Sequence, residues 1–296
     1  MESGIFVYLS SLISRASIYL AGVISANMQY GYTGMLNLGV AAFSMLGAYV
    51  TAILVTRFDA DFLTTIIASI IVCVIVSIFI GLVSLRTKGD YFALVTLGFG
   101  YVLYSLFLNY QDEPINGALG IPSIRRPSFG DFILTRESFF FLCLGFLVIL
   151  YFIANKILKS HYGTVLRSIR DNEDAARSLG KDADKYKLSI FVIGAVFAGL
   201  GGSMYSYWAS YIDPGSFGII DSLYIIFAVL IGGKGNLLGS VAGGFLFILL
   251  PEPLRFLNLP PNIIGGARQL ILGVLLLLTI LYRPDGIFKE KTKKFN

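Results

Sequence analysis

The chain is ordered by long apolar runs separated by short polar intervals. Phe62 to Leu85, Phe139 to Ile157 and Ile263 to Tyr282 are each near or above the roughly 18-residue length of a membrane-spanning helix. Extending this reading along the chain predicts helices at about 5–28, 38–56, 62–85, 91–109, 138–157, 187–208, 218–232, 236–250 and 263–282. The expected fold is all-α: a polytopic transmembrane bundle of about eight to ten spans with interrupted helices, in a single transmembrane domain over 1–296.

Two polar, glycine-rich stretches interrupt the apolar pattern: ANMQYGYTGMLNLG at 26–39 and IGGKGNLLGS at 231–240. Non-helical backbone at membrane depth persists only where protein or a watery cavity satisfies its N–H and C=O groups. Membrane transporters build solute sites from such breaks, although two ordinary turns between helices would look the same. The uncharged hydrogen-bonding residues Tyr32, Thr33 and Asn37 in the first break, with Thr96 in the helix after a short basic turn, are the expected lining of a solute pathway.

Composition agrees with a bilayer as solvent. Of 296 residues, 56% are hydrophobic and only 14% charged, against about 25% in soluble domains, and the mean hydropathy is +0.76. The net charge of +5 does not point to nucleic acid, because the basic residues collect in loops. Arg86 and Lys88 form one such loop, the 156–187 loop holds eight basic and five acidic residues, and the tail from Arg283 holds five basic and two acidic. Placing the last two in the cytoplasm, by the bias of Lys and Arg, puts every strongly basic segment on one face. Residues 110–137, 209–217 and 251–262 then fall on the other. The start MESGIFVYLSSLISR lacks the basic n-region and cleavage site of a signal peptide. Arg15 is an exception to the pattern. A lone charge at the bilayer centre costs at least about 2.5 kcal/mol, so either residues 1–14 lie along the interface or Arg15 faces a polar partner in the bundle.

The most charged stretch is RSIRDNEDAARSLG, residues 167–180, with six charged side chains. Gly163 and Gly180 bracket it, and i,i+4 pairing of Arg167 with Asp171, Arg170 with Asp174 and Glu173 with Arg177 predicts a short helix. Ala175, Ala176 and Leu179 give it a small apolar patch. An amphipathic helix on a cytosolic loop suits docking into a groove of a soluble protein, the alternative being a solvated loop helix with no partner.

Other chemistries find little support. Asp171 and Asp174 form one D-x-x-D, with Asp182 and Asp184 nearby, but Mg²⁺-dependent prenyl transfer needs a second carboxylate cluster on a separate cytosolic loop, and the other cytosolic segments offer only Asp90. GGKGN lacks the spacing of a phosphate loop. His161 is the only histidine, and Cys73 and Cys143 sit inside apolar runs, so neither metal nor cofactor is expected. A carrier working alone would place ionisable residues in mid-membrane for ion coupling, and apart from Arg15 the predicted spans hold almost none.

From about Ser17 to Phe288 the chain resembles the permease subunits of ABC importers for branched-chain amino acids, the M-type subunit in particular. GYTGMLNLGVAAFSMLGAY, YFALVTLGFGYVLYSLFLN, NGALGIP, RSIRDNEDAARSLG with KYKLSIFVIGAVFAGLGGSMY, IGGKGNLLGSVAGG and RPDGIF match the family's motifs in order. Departures fall at Met35, Asn37 and Val40, at Gly239 to Gly244, and at Ile115 to Ala118. The resemblance implies a type II-like importer permease in the cell membrane with no nucleotide site of its own. It also implies a homologous second permease, two cytosolic ATPases and an external solute-binding protein. Leucine, isoleucine and valine are the implied solutes; urea, short amides or other amino acids are the alternatives. Arg167, Arg170, Asp171, Asp174, Ala175, Arg177 and Gly180 would then belong to the helix that couples to the ATPase.

Overall fold

A computed structural model describes residues 2–85, 87, 90–129, 132–257, 261–283 and 286–288. Arg86, Lys88 and most of the basic tail lie outside these residues. Eleven helices are described in chain order: α1 Glu2–Ala26, α2 Val40–Phe58, α3 Phe62–Ser84, α4 Asp90–Asn109, α5 Arg136–Lys159, α6 His161–Asp171, α7 Glu173–Ser178, α8 Ala183–Ala209, α9 Ile219–Gly232, α10 Leu237–Leu249 and α11 Pro261–Tyr282. Among the described residues eight segments are long and apolar enough to cross a membrane. The ninth expected span is α11, apolar over Ile264–Thr279. The only strands among the described residues form a two-stranded antiparallel hairpin, Ser128–Phe129 with Phe132–Ile133, which leaves the all-α architecture intact.

Helix α3 shows the solvent that the bundle is built for. Its buried positions are Thr65, Ser69, Cys73, Ser77, Gly81 and Ser84, a stripe of small and weakly polar residues, while Ile67, Ile71, Ile75 and Phe79 are exposed. Lipid tails solvate the large side chains well, so they face outward, and small residues face inward where backbones can approach closely. Helix α8 is the centre of the bundle, packed on α2, α3 and α1. A side chain at Gly47 would run into the backbone of Gly199, and one at Gly202 into that of Ser44, so α2 and α8 cross with main chain against main chain. Hydroxyls bridge the close-packed helices: Ser203 donates to Ser69 at 2.8 Å and to the Gly47 carbonyl at 3.2 Å, and Thr51 contacts Ser69 at 3.2 Å.

The loops sort into two sets. On one face, residues 27–39, α6 and α7, the 233–236 turn and residues 286–288 are joined by contacts described below. On the other, Arg57 pairs with Glu113, Arg125 with Asp59 at 3.0 Å, and Ile121 bridges to Ile212. The α6–α7 loop thus falls in one set and residues from 110–137 and 209–217 in the other, the separation expected for those loops. Helix α1 is continuous, so residues 2–14 are not a separate interfacial segment; Arg15 is half-buried on a helix that passes through the bundle.

Candidate functional site

The first break is an interruption of a spanning helix. After Ala26 the chain continues as a π-helix, Asn27–Gly31, and then unwinds over residues 34–39 before α2 begins. A π-turn leaves backbone groups poorly matched, and side chains complete them. Gln29, fully buried, accepts from Asn37 Nδ2 at 2.9 Å and donates to Ser25 Oγ at 3.3 Å. Asn37 Oδ1 accepts from Gly39 N at 2.8 Å, Thr96 Oγ1 accepts from Leu38 N at 3.1 Å, and Thr33 donates to the Gln29 carbonyl. Four residues expected to line a pathway, Tyr32, Thr33, Asn37 and Thr96, are thus brought together and are all at least nine-tenths buried.

The second glycine stretch is a tight turn between two short helices. Gly233, at φ +118°, closes α9, and the Asn236 side chain caps α10 by accepting from Gly239 N at 3.1 Å. The two breaks meet: Asn27 Oδ1 accepts from Gly235 N at 3.0 Å across 208 positions. Residues from the C-terminal segment close over the same turn, with Ile287 N donating to the Ile231 carbonyl at 2.9 Å and Phe288 N to that of Gly232 at 3.1 Å.

Onto this junction the charged loop docks. Arg170 Nη1 donates to the Gly31 carbonyl at 2.5 Å, and the Arg167 guanidinium lies 5.1 Å from the centre of the Tyr32 ring while donating to the Leu158 carbonyl at 3.1 Å. The single helix expected over 167–180 is two. Asn172 adopts extended backbone (φ −158°, ψ 103°), and its side chain accepts from Ala175 N at 3.0 Å, so it starts α7 instead of continuing α6. An asparagine that can bond the backbone ahead of it competes with helix propagation. The break separates Arg170 from Asp174, and Arg167 is turned to Tyr32 and Leu158, so the expected pairs of Arg167 with Asp171 and Arg170 with Asp174 are not among the ion pairs of the described residues; Arg170 pairs with Asp171 at 3.1 Å. The third expected pair forms: Arg177 contacts Glu173 at 2.9 Å, and also Asp184 at 2.7 Å. Lys187 reaches the other Glu173 oxygen at 2.5 Å, which ties α7 to the start of α8.

Burial pushes the Glu173 carboxyl up, but hydrogen bonds from Lys187 and Arg177 outweigh it and hold the group below the usual glutamate value. Those two carboxylates, Asp184 first, raise Arg177 further. The apolar patch also differs from expectation: Ala176 alone turns inward, against Val165, Ile169 and Ala183, whereas Ala175 and Leu179 are exposed. Gly180 ends α7 as predicted, at φ +77°, a conformation that glycine adopts without strain.

A separate cavity of about 350 Å³ lies deeper in the bundle, bounded by α1, α2, α8, α9, α10 and α11. Arg15 and Asp221 both line it, and none of Tyr32, Thr33, Asn37 or Thr96 does.

Comparison with known proteins decides the family. Residues 8–280 match the model of the branched-chain amino acid transport system permease component. The chain belongs to that family. Among relatives, the high-affinity branched-chain amino acid transport permease LivM of Salmonella typhimurium is 29% identical over 300 residues, covering 93% of this chain and 69% of the relative. LivM of Escherichia coli is 30% identical over 294 residues, covering 91% and 67%. LivH, a second such permease of Escherichia coli, is 24% identical over 295 residues, covering 93% and 92%. This permease is therefore similar to two differently named transport permeases of one organism.

Several residues that organise this permease's junction were not singled out from sequence. Gln29 and Asn27 are carboxamides inside an otherwise apolar helix, which is itself a signal, since buried polar groups in a membrane demand partners. Nothing local announces that Asp221 shares a cavity with Arg15.

Proposed function

We propose that this permease is the transmembrane subunit of an ATP-binding cassette importer that moves leucine, isoleucine or valine into the cell. In this reading the α6–α7 face and the C-terminus are cytoplasmic. A homologous second permease completes the pathway, two cytosolic ATPases supply the energy, and an external binding protein delivers solute. The observation that carries the reading is the contact of Arg170 with Gly31. It links a charged loop, on the outside of the bundle, to the interrupted turn of a spanning helix. A partner that moved α6 would act directly on the backbone of α1 at its weakest point.

The surface offered to the ATPase is formed by Asp171, Asp174, Ala175 and Leu179, all exposed, with Leu179 at 79%. Arg167, Arg170, Arg177 and Gly180 hold that surface in place from behind or at its end. The cluster of Tyr32, Thr33, Asn37 and Thr96 is proposed as the cytoplasmic closure of the pathway. Asn37 bonds to the Gln29 side chain, and Thr33, Asn37 and Thr96 bond to nearby backbone; opening would exchange those bonds for bonds to solute or water.

Reconstitution tests the proposal. Purified with the second permease and ATPases and placed in liposomes with the binding protein, the assembly is expected to accumulate leucine only when ATP is supplied. Uptake without any ATPase, or accumulation of urea or a short amide in preference to aliphatic amino acids, would overturn it.

A further inference from the structure

We infer that a polar cavity between the ends of α1, α5 and α8 binds the phosphodiester of a membrane phospholipid, in the leaflet opposite the Arg170–Gly31 junction. In the importer reading that leaflet is the external one, but the lipid site does not depend on the direction of transport.

The cavity, of about 410 Å³, is walled by serines of α1, by Phe139 of α5 and by the last turn of α8, with Arg126 from the loop before α5. Its depth follows from the helices. Ser11 stands about 22 Å along α1 from Ala26, at about 1.5 Å per residue, which places it near the far side of a hydrocarbon core about 30 Å thick. Trp208, the only tryptophan of the chain, also lines the cavity, in the last turn of α8. Indole rings favour the boundary between hydrocarbon and headgroups. The loop of Arg126 is fixed to the same end of α8, since Ile124 N donates to the Ser210 carbonyl at 3.1 Å. The flanks are lipid-facing: Val7 and Leu9 on α1 and Phe141 on α5 are exposed.

What the cavity takes follows from its unused donors. Ser10 and Ser14 donate to carbonyls of their own helix, at 3.0 and 2.8 Å, and the Tyr207 hydroxyl shares a hydrogen bond with Thr65 at 2.8 Å. The Ser11 hydroxyl, the Trp208 indole N–H and the Arg126 guanidinium have no partner among the described residues. The neighbouring Arg125, by contrast, is paired with Asp59 at 3.0 Å. The wall therefore offers one positive charge and two neutral donors, and none of its residues is acidic. A phosphodiester carries one negative charge on two free oxygens, which a planar guanidinium and neighbouring donors match. At about 30 Å³ per water, the volume is more than a lone phosphate fills, so there is room for the attached glycerol. The acyl chains would then run down the exposed apolar side of α1 and α5. With no carboxylate to hold an ammonium, a lipid whose headgroup lacks a cation fits best.

Because Trp208 is the only tryptophan, its fluorescence reports on this cavity. The full-length permease in detergent is titrated with phosphatidylglycerol brominated near the top of its acyl chains. Quenching of Trp208 is expected to saturate and to be reversed by unbrominated phosphatidylglycerol but not by inorganic phosphate. Brominated diacylglycerol, which lacks the phosphate, should need at least about tenfold more lipid for the same quenching, as loss of a charge-assisted contact implies. Arg126→Gln should raise the phosphatidylglycerol midpoint by a similar factor. Arg57→Gln, which removes a charge on the same face but outside the cavity, should leave it unchanged. If Arg126→Gln fails to accumulate, the comparison of lipids on the parent protein decides alone. Equal quenching by the diacylglycerol would make the cavity an apolar crevice, and displacement of the lipid by inorganic phosphate would make it a free-anion site. Either result, or an unchanged midpoint in Arg126→Gln, would overturn the lipid site and leave the importer reading standing.

Discussion

Arg170 and Gly31, 139 positions apart, are joined by a hydrogen bond of 2.5 Å from a guanidinium to a backbone carbonyl. The carbonyl belongs to a π-turn, and the guanidinium to a loop helix. Replacing Arg170 by Ala removes a charged donor worth about 1.5–3 kcal/mol. The expected result is normal insertion with at least tenfold lower ATP-driven uptake, a loss of about 1.4 kcal/mol or more of coupling. Arg170→Lys should restore part of it. Uptake assayed against the amount of permease in the membrane checks both.

Asn27 is the link between the two glycine breaks. Asn27→Ala leaves the buried Gly235 N–H without its acceptor, at a cost of about 1–3 kcal/mol. Thermal unfolding in detergent should show a lower midpoint. Asn27→Asp, which keeps the accepting oxygen, should unfold closer to the parent.

The crossing of α2 and α8 leaves no room for side chains at Gly47 or Gly202. Gly202→Val is expected to destabilise the bundle by about 1–3 kcal/mol or more through overpacking, and to reduce accumulation in the membrane. Gly98, whose missing Cβ would meet nothing within 4 Å, supplies the contrast: Gly98→Ala should leave the unfolding midpoint unchanged or raise it.

Acid should loosen the α7–α8 clamp. Glu173 has a folded pKa below its unfolded value, so its contribution is present in full above the ordinary value of 4.5 and is lost as the pH falls through the lower folded value. Hydrogen exchange over residues 173–187, corrected for intrinsic rates, is expected to rise between pH 6 and pH values well below 4.5. In Glu173→Gln that pH dependence should disappear.

What local sequence determined here is what depends on neighbours within a few positions. The apolar length of α3, the small stripe from Thr65 to Ser84, the glycine stop at Gly180 and the polar break after Ala26 all follow from spacing, propensity and the demand of backbone for partners in lipid. The Glu173–Arg177 pair was readable for the same reason. Tertiary structure decided the rest. Asn172 chose to cap α7 and thereby dissolved the expected pairing of Arg170 with Asp174, because a side-chain bond to the backbone competes with helix propagation. Freed from that pairing, Arg170 reached Gly31, Asn27 reached Gly235, and Arg15 came to share a cavity with Asp221. Each of these links spans more than a hundred positions, and helical periodicity carries no information about which distant helix will pack alongside. That choice belongs to the close approach of backbones at Gly47, Gly199 and Gly202, where shape complementarity between whole helices sets the neighbours.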